Sequence, residues 1–166
     1  MILIGLGGNL ASAIGEPPAT FRAALTMLAR HGVKILARSQ VYFSPPWPNG
    51  DGPPYYNQAV RAASRLAPGA LMQLLLRVEV AHGRVRREKW GPRTLDLDLI
   101  DYQGLVTDAE HLALPHPWIE ERAFVLKPLA DIAPDWRHPI TGRTAISAMA
   151  ALGAAELASC TPCDLQ

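Results

Sequence analysis

Hydrophobic and polar positions along this chain change their period several times, and each change marks a predicted element. Ile2 to Leu6 is a short apolar run closed by the glycines of GLGGN, the pattern of a buried strand and a tight turn. From Pro17 to Arg30 the apolar positions Phe21, Ala24, Leu25, Leu28 and Ala29 fall near helical spacing, with prolines at the start and Gly32 past the end. Val33 to Phe43 reads as a strand of mixed pattern. It is stopped by SPPWPNGDGPP, Ser44 to Pro54, which is too rich in proline and glycine to hold regular structure for long. Tyr55 to Ser64 resumes as a strand. Pro68 to His82 is the clearest helix, with Leu71, Leu74, Leu75 and Val78 in one stripe and Gly83 just beyond. Thr94 to Tyr102 alternates as a strand does: Leu95, Leu97 and Leu99 on one face, Asp96 and Asp98 on the other.

That order, β-α-β-β-α-β, predicts an α+β fold with a ferredoxin-like core, an antiparallel sheet carrying its helices on one face. From about Gly104 the pattern predicts an appended hairpin and helices. Ala123 to Ile132 and Thr144 to Leu152 have helical composition, and the Ala-rich stretch 145–158 suits a C-terminal helix. No internal repeat interrupts the pattern. The 166 residues fit one domain, 1–166, with a real core.

Composition mainly excludes. Hydrophobic residues make up 49% and charged residues 19%, which predicts a folded globular chain. A net charge of +1 exerts no global pull toward nucleic acid or a membrane, so any anion site must be local. The opening apolar run is too short to span a bilayer and has no basic residues ahead of it. It is not read as a signal peptide, and the expected location is the cytoplasm. Cys160 and Cys163, in CTPC, lack a second ligand pair at metal-site spacing and are read as reduced thiols.

The chemistry concentrates in one stretch. Asp96 and Asp98 stand about 6.5–7 Å apart at Cα on an extended strand, close enough to hold one divalent cation or to bridge two. The loop before them, GRVRREKWGPR, carries Arg84, Arg86, Arg87, Lys89 and Arg93 against the single acid Glu88. Guanidinium groups match phosphate oxygens and do not titrate away. Cations for a polyanion and carboxylates for a metal, side by side, suit phosphoryl-type transfer. No P-loop is present, and GLGGNL is not a dinucleotide fingerprint; it reads as a turn ending the first strand. Aromatic residues cluster beside loops (Trp47, Tyr55, Tyr56, Trp90, Trp118, Phe124), and one near Asn57 could stack a flat heterocycle. Among the histidines, His116 in LPHPW is the one placed to matter. Two other classes stay open on these residues. An RNA-binding module would lack its RNP1 run, and its acidic pair would repel phosphate without metal. A two-metal nuclease would also use paired aspartates.

GPRTLDLDLI, preceded by HGRVRREKW and followed by LPHPWIEERAFVLKPLADIAP, resembles the 6-hydroxymethyl-7,8-dihydropterin pyrophosphokinase family of folate biosynthesis. GLGGNL, YFSPPW and YYNQAV stand in the matching order, so the resemblance spans about residues 2 to 136. It implies a ferredoxin-like fold and transfer of pyrophosphate from ATP to the pterin hydroxymethyl group, releasing AMP. It also implies two Mg²⁺ ions on Asp96 and Asp98, with Arg84 and Arg93 catalytic on a mobile loop and Lys89 assisting at the phosphates. Tyr55 and Phe124 would sandwich the pterin, Asn57 would bond its edge, Ser44 and Pro45 would line that pocket, and Trp90 would close it. Glu79, His116 and Arg122 would fall on the ATP side. The implied partners are ATP and the pterin, with no nucleic acid and no membrane, for a monomer. Gly8 stands where serine is common in the family, a difference expected to matter little. Leu76, His111 and Ala113 replace a glutamine, an arginine and a threonine of some members.

Overall fold

In the computed structural model, which describes residues 1–46, 52–84 and 91–164, the two long helices begin and end where proline and glycine predict. Helix α1 spans Pro17–Arg30 and α2 spans Pro68–Ala81, each with proline in its first turn. Gly32 and Gly83 follow two residues past the ends with φ of 83° and 85°, the left-handed geometry that closes a helix and favours glycine.

Strand β1 (Ile2–Gly8) lies between β4 (Tyr55–Ala63) and β5 (Asp96–Tyr102), antiparallel to both. The far side of β4 pairs with β2 (Lys34–Arg38) and β3 (Tyr42–Ser44). The single strand predicted over Val33 to Phe43 is therefore two. Ser39 makes the break: its N–H donates to the Ala59 carbonyl while its Oγ accepts from the Ala59 N–H. The side chain takes a ladder position, so the chain stays on β4 without strand geometry. Counted as one interrupted strand, β2 and β3 complete the order fourth-first-third-second of a ferredoxin-like sheet.

Alternation sorts the sheet's two faces. Ile2, Ile4 and Leu6 of β1, Val60 and Ala62 of β4, and Leu97 and Leu99 of β5 pack beneath α1 and α2. Each fully buried Leu or Ile contributes about 1.5–3 kcal/mol. Leu3, Ala59 and Ile100 face the other way, against Leu126, Leu129 and Ile132 of α3 (Ala123–Ile132) and Ala145 and Ala148 of α4 (Ala145–Met149). The helices thus do not all lie on one face, as the β-α-β-β-α-β pattern alone implies; the appended ones cover part of the second. A bulge sharpens this division. Leu3 pairs with Asp101 but Ile4 with Leu99, so Ile100 and Asp101 both turn to the second layer. There Trp136 Nε1 donates to Asp101 at 3.1 Å.

The hairpin after Gly104 forms from β6 (Thr107–Ala109) and β7 (Leu112–Leu114). The single helix predicted over 145–158 is broken into α4 and α5 (Ala154–Ser159), because Gly153 between them is a poor helix residue and starts the second instead. Strand β8 (Thr161–Pro162) then joins the sheet on β3. The tail also caps α3: Glu156 Oε1 accepts from Ala123 N–H at 3.2 Å, one of the donors a helix start leaves unpaired. No helix among the described residues is long and apolar enough to cross a membrane.

Gly8 matters more than its family comparison implies. A Cβ there would stand 2.7 Å from the Thr94 carbonyl oxygen, closer than real contacts allow. Gly8→Ala is expected to cost about 1–3 kcal/mol, as overpacking does. Urea denaturation measures it, and an unchanged midpoint would contradict the close approach.

Candidate functional site

Beside α3, whose Phe124, Val125 and Pro128 form part of the wall, the second face of the sheet opens into a cleft, and two glycines make its floor. Gly5 pairs with Asp98 on one side and Ala59 on the other; Gly7 pairs with Asp96 and Asn57. Facing side chains would close this strip: a Cβ on Gly5 would lie 3.2 Å from Ile100 Cδ1, and one on Gly7 within 4.0 Å of Asn57 Oδ1. The result is a cleft with carboxylates on one flank and amide and aromatic groups on the other.

Ser44, Pro45, Tyr55, Asn57 and Phe124 all line it. Asn57 is 6% exposed, and its Nδ2 donates to Ser44 Oγ at 3.0 Å and to the Tyr55 carbonyl at 3.3 Å. Its donors are thereby committed to the wall, and its Oδ1 is left on the Gly7 side. The Tyr55 hydroxyl donates to the Gly91 carbonyl at 3.1 Å, and burial raises its pKa above the ordinary value.

On the opposite flank both oxygens of Asp96 are held by arginines. Arg93 Nη1 lies 2.7 Å from Asp96 Oδ2, and Arg84 Nη1 bonds both Asp96 Oδ1 and Glu79 Oε1. Burial works to lower the Arg93 pKa, but Asp96 and Tyr55 outweigh it and the net direction is upward. Asp98 differs: its side chain is 45% exposed to the cleft, and its nearest basic partner among the described residues is His116 Nε2 at 3.8 Å. Cleft walls displace bulk water around it, and with the neighbouring charge of Asp96 they push the Asp98 carboxyl up to about 6. His116 is anchored by its N–H to the Ile100 carbonyl at 2.9 Å. The Arg122 guanidinium sits 5.1 Å from the Trp118 ring and 5.6 Å from the Phe124 ring, and burial lowers its pKa against the pull of Asp98.

Arg93, Asp96, Asp98, His116 and Arg122 therefore line one cleft with Ser44, Pro45, Tyr55, Asn57 and Phe124. Glu79 does not. It is 2% exposed beneath the sheet, where it accepts from the Leu97 N–H at 2.8 Å on the edge strand β5 and pairs with Arg84. Its place is behind the cationic group, paired with Arg84. Lys89 and Trp90 lie outside the described residues, as do Arg86, Arg87 and Trp47. Leu76, His111 and Ala113 do not line the cleft. Three features escape sequence reasoning: the floor made by Gly5 and Gly7, the bridging amide of Asn9, and Trp118 stacked on Arg122. The glycines carry a signal, since alternate positions of β1 lack side chains; the Asn9 bridge rests on long-range contacts, and the Trp118–Arg122 stack, though only four residues apart, has no regular element to announce it.

Burial and the nearby aspartates act on Glu79 as well. Removal from water pushes its carboxyl up to about 7, against the opposing Leu97 N–H and Arg84. Between the ordinary carboxylate pKa and about 7 the native state holds a proton that the unfolded chain releases. Stability from this group is therefore full at acid pH and lost as pH rises through 7. Glu79→Gln keeps the acceptor for Leu97 and removes the titration. From pH 5 to pH 8 the variant is expected to gain on the wild type by an amount on the order of 2 kcal/mol. Thermal denaturation at both pH values checks this, and a constant difference would refute it.

Magnesium can be tested against the donor set. No group of three or more His, Cys, Asp or Glu gathers among the described residues. The protein offers two carboxylates on one face, with the Asp98 pKa raised by desolvation and then by its like-charged neighbour. That suits Mg²⁺, which keeps several waters and takes one or two carboxylates plus phosphate oxygens. The residues fit the ion.

Comparison with known proteins bears on this site. The family model described as 7,8-dihydro-6-hydroxymethylpterin-pyrophosphokinase matches residues 3–134. The 2-amino-4-hydroxy-6-hydroxymethyldihydropteridine pyrophosphokinase of Methylorubrum extorquens is 43% identical over 150 residues, 90% of this chain and 91% of that protein. The protein of the same name from Pseudomonas aeruginosa is 40% identical over 139 residues, 83% of each chain. Among solved structures, wild-type HPPK-DHPS of Plasmodium falciparum with pteroate matches at a TM-score of 0.68 and 12% identity, over 89% of this chain. This chain spans 43% of that one, and the likeness is one of fold.

Proposed function

The chain belongs to the 7,8-dihydro-6-hydroxymethylpterin-pyrophosphokinase family and transfers pyrophosphate from ATP to hydroxymethyldihydropterin in folate synthesis, and we propose that the two flanks of its cleft divide that work. Tyr55, Asn57, Ser44, Pro45 and Phe124 take the pterin; Arg84, Arg93, His116 and Arg122 take the triphosphate. The observation that carries this division is the Gly5–Gly7 floor, which puts Asn57 and Asp96 on opposite sides of one glycine.

The pterin ring lies flat against Phe124 and Tyr55, and Asn57 Oδ1 accepts from its edge. Its hydroxymethyl group then points along the floor toward the carboxylate flank. The hydroxyl oxygen bonds to the β-phosphorus as the bond from that phosphorus to the oxygen bridging the α-phosphorus breaks. AMP leaves with that oxygen, and the hydroxyl proton passes to solvent. Charge builds on phosphate oxygens during this exchange. Arg84 and Arg93 supply fixed positive charge where it builds, and confinement of both substrates in one cleft supplies orientation. Two Mg²⁺ ions, held by Asp96 and Asp98, would neutralise the triphosphate and align it. Lys89 assists at the phosphates and Trp90 closes over the pterin, both carried by family resemblance. Glu79 acts through Arg84. The same reading makes residues 1–166 one domain, monomeric and cytoplasmic.

The experiment is AMP formation from ATP with and without the hydroxymethyl pterin, at several Mg²⁺ concentrations. AMP release that requires both pterin and Mg²⁺ supports the reading. AMP release that ignores the pterin, or full activity in excess chelator, overturns it.

A further inference from the structure

The turn after β1 holds the two walls of the cleft together through one side chain. Asn9 Oδ1 accepts from the Arg93 N–H at 2.9 Å, and Asn9 Nδ2 donates to the Pro53 carbonyl at 3.1 Å. The backbone N–H groups of Asn9 and Leu10 both donate to the Arg93 carbonyl, at 2.9 and 3.1 Å. Arg93 is thus gripped by both of its backbone polar groups. Pro53 stands two residues ahead of Tyr55. The circuit closes at Gly91, whose carbonyl accepts from the Tyr55 hydroxyl and from Arg93 Nε, each at 3.1 Å. These contacts join segments 84 and 44 residues from Asn9.

We propose that Asn9 is a positioning residue for both substrates: the acceptor half of its amide sets Arg93 at the phosphate end, and the donor half sets Pro53 and Tyr55 at the pterin end. This rests on the division of the cleft proposed above. An amide offers an acceptor and a donor on separate atoms of one short arm; a carboxylate offers only acceptors. The guanidinium of Arg93 reaches Asp96 from a backbone held at both its N–H and its carbonyl, and a displacement near 1 Å at such a group costs on the order of 10²-fold in rate.

The two halves separate by substitution. Asn9→Asp keeps the acceptor for Arg93 and loses the donor to Pro53, while Asn9→Ala loses both. Asn9→Ala is expected to lower kcat by about 30- to 100-fold and raise the pterin KM by about fivefold or more. Asn9→Asp is expected to hold kcat within about threefold of wild type while raising the pterin KM as far as alanine does. Equal kcat losses in the two variants overturn the proposal, and so does an alanine variant with kcat and pterin KM both within about twofold of wild type. Far-UV circular dichroism and thermal denaturation report folding. If the alanine variant does not fold, the aspartate variant decides alone: kcat kept with pterin KM raised supports the proposal, and kcat lost overturns it. Arg93→Ala runs alongside. If it lowers kcat while the Asn9 variants do not behave as stated, only this inference falls. If it leaves kcat unchanged, the division of the cleft falls and takes the inference with it.

Discussion

Asp98→Ala is expected to abolish pyrophosphoryl transfer while leaving the protein folded. The side chain contributes little to packing: it is 45% exposed, and His116 at 3.8 Å is its ion-pair partner among the described residues. The strand that carries it is held by Leu97 and Leu99 on the opposite face, both buried. The carboxyl is in fact a burden on the folded state, pushed up to about 6 by desolvation and by Asp96. Its removal should leave thermal stability unchanged or raise it at pH 8. The rate should fall by at least about 10³-fold if Asp98 holds Mg²⁺ as proposed, because a carboxylate in that role acts on charge forming at the transition state. Steady-state AMP production and a melting curve measure the two halves of this expectation. Near-normal turnover in excess Mg²⁺ would contradict the role given to Asp98.

Arg93→Ala is expected to have the next largest effect, a loss of about 10²–10³-fold in kcat, the range for removing one fixed electrostatic donor. Its side chain is 16% exposed, and it stays charged because Asp96 and Tyr55 outweigh the cost of burial. The guanidinium is aimed by two contacts, Asp96 Oδ2 at 2.7 Å and the Gly91 carbonyl at 3.1 Å. A lysine keeps the charge but cannot make this pair from one planar fork, so Arg93→Lys should recover only part of the loss. The pterin KM should change less than kcat. A variant with raised KM for the pterin and unchanged kcat would place Arg93 at the wrong end of the cleft.

Much of the fold was legible because its signals are local. Proline before and glycine after the apolar stripe of α1 predict its bounds at Pro17 and Arg30 as observed, since capping geometry depends on neighbours in sequence. The leucine-aspartate alternation of β5 predicts one buried and one open face, since a strand's period is two. Where prediction and structure part, a distant partner is responsible. Ser39 interrupts the second strand by bonding to Ala59, twenty residues away. The appended α3 and α4 cover part of the sheet's second face, which β-α-β-β-α-β periodicity does not anticipate. Of the residues lining the cleft, Asp96, Asp98, Arg93, Asn57 and Tyr55 were singled out by motif and resemblance. Glu79 was legible as a residue of interest, but its burial beneath β5 was not.

The sequence by itself determined the two long helices, the ferredoxin-like order, the carboxylate pair and the family. Each of these follows from periodicity, capping or a contiguous motif, which short-range physics controls. Tertiary structure alone decided that the cleft is floored by Gly5 and Gly7, and that Glu79 supports Arg84 from behind. It also decided that Asn9 ties Arg93 to Pro53. The reason is physical: side-chain hydrogen bonds and buried charges are set by which atoms meet across the sheet. Contacts 44 and 84 residues apart leave no periodic trace in the chain that makes them.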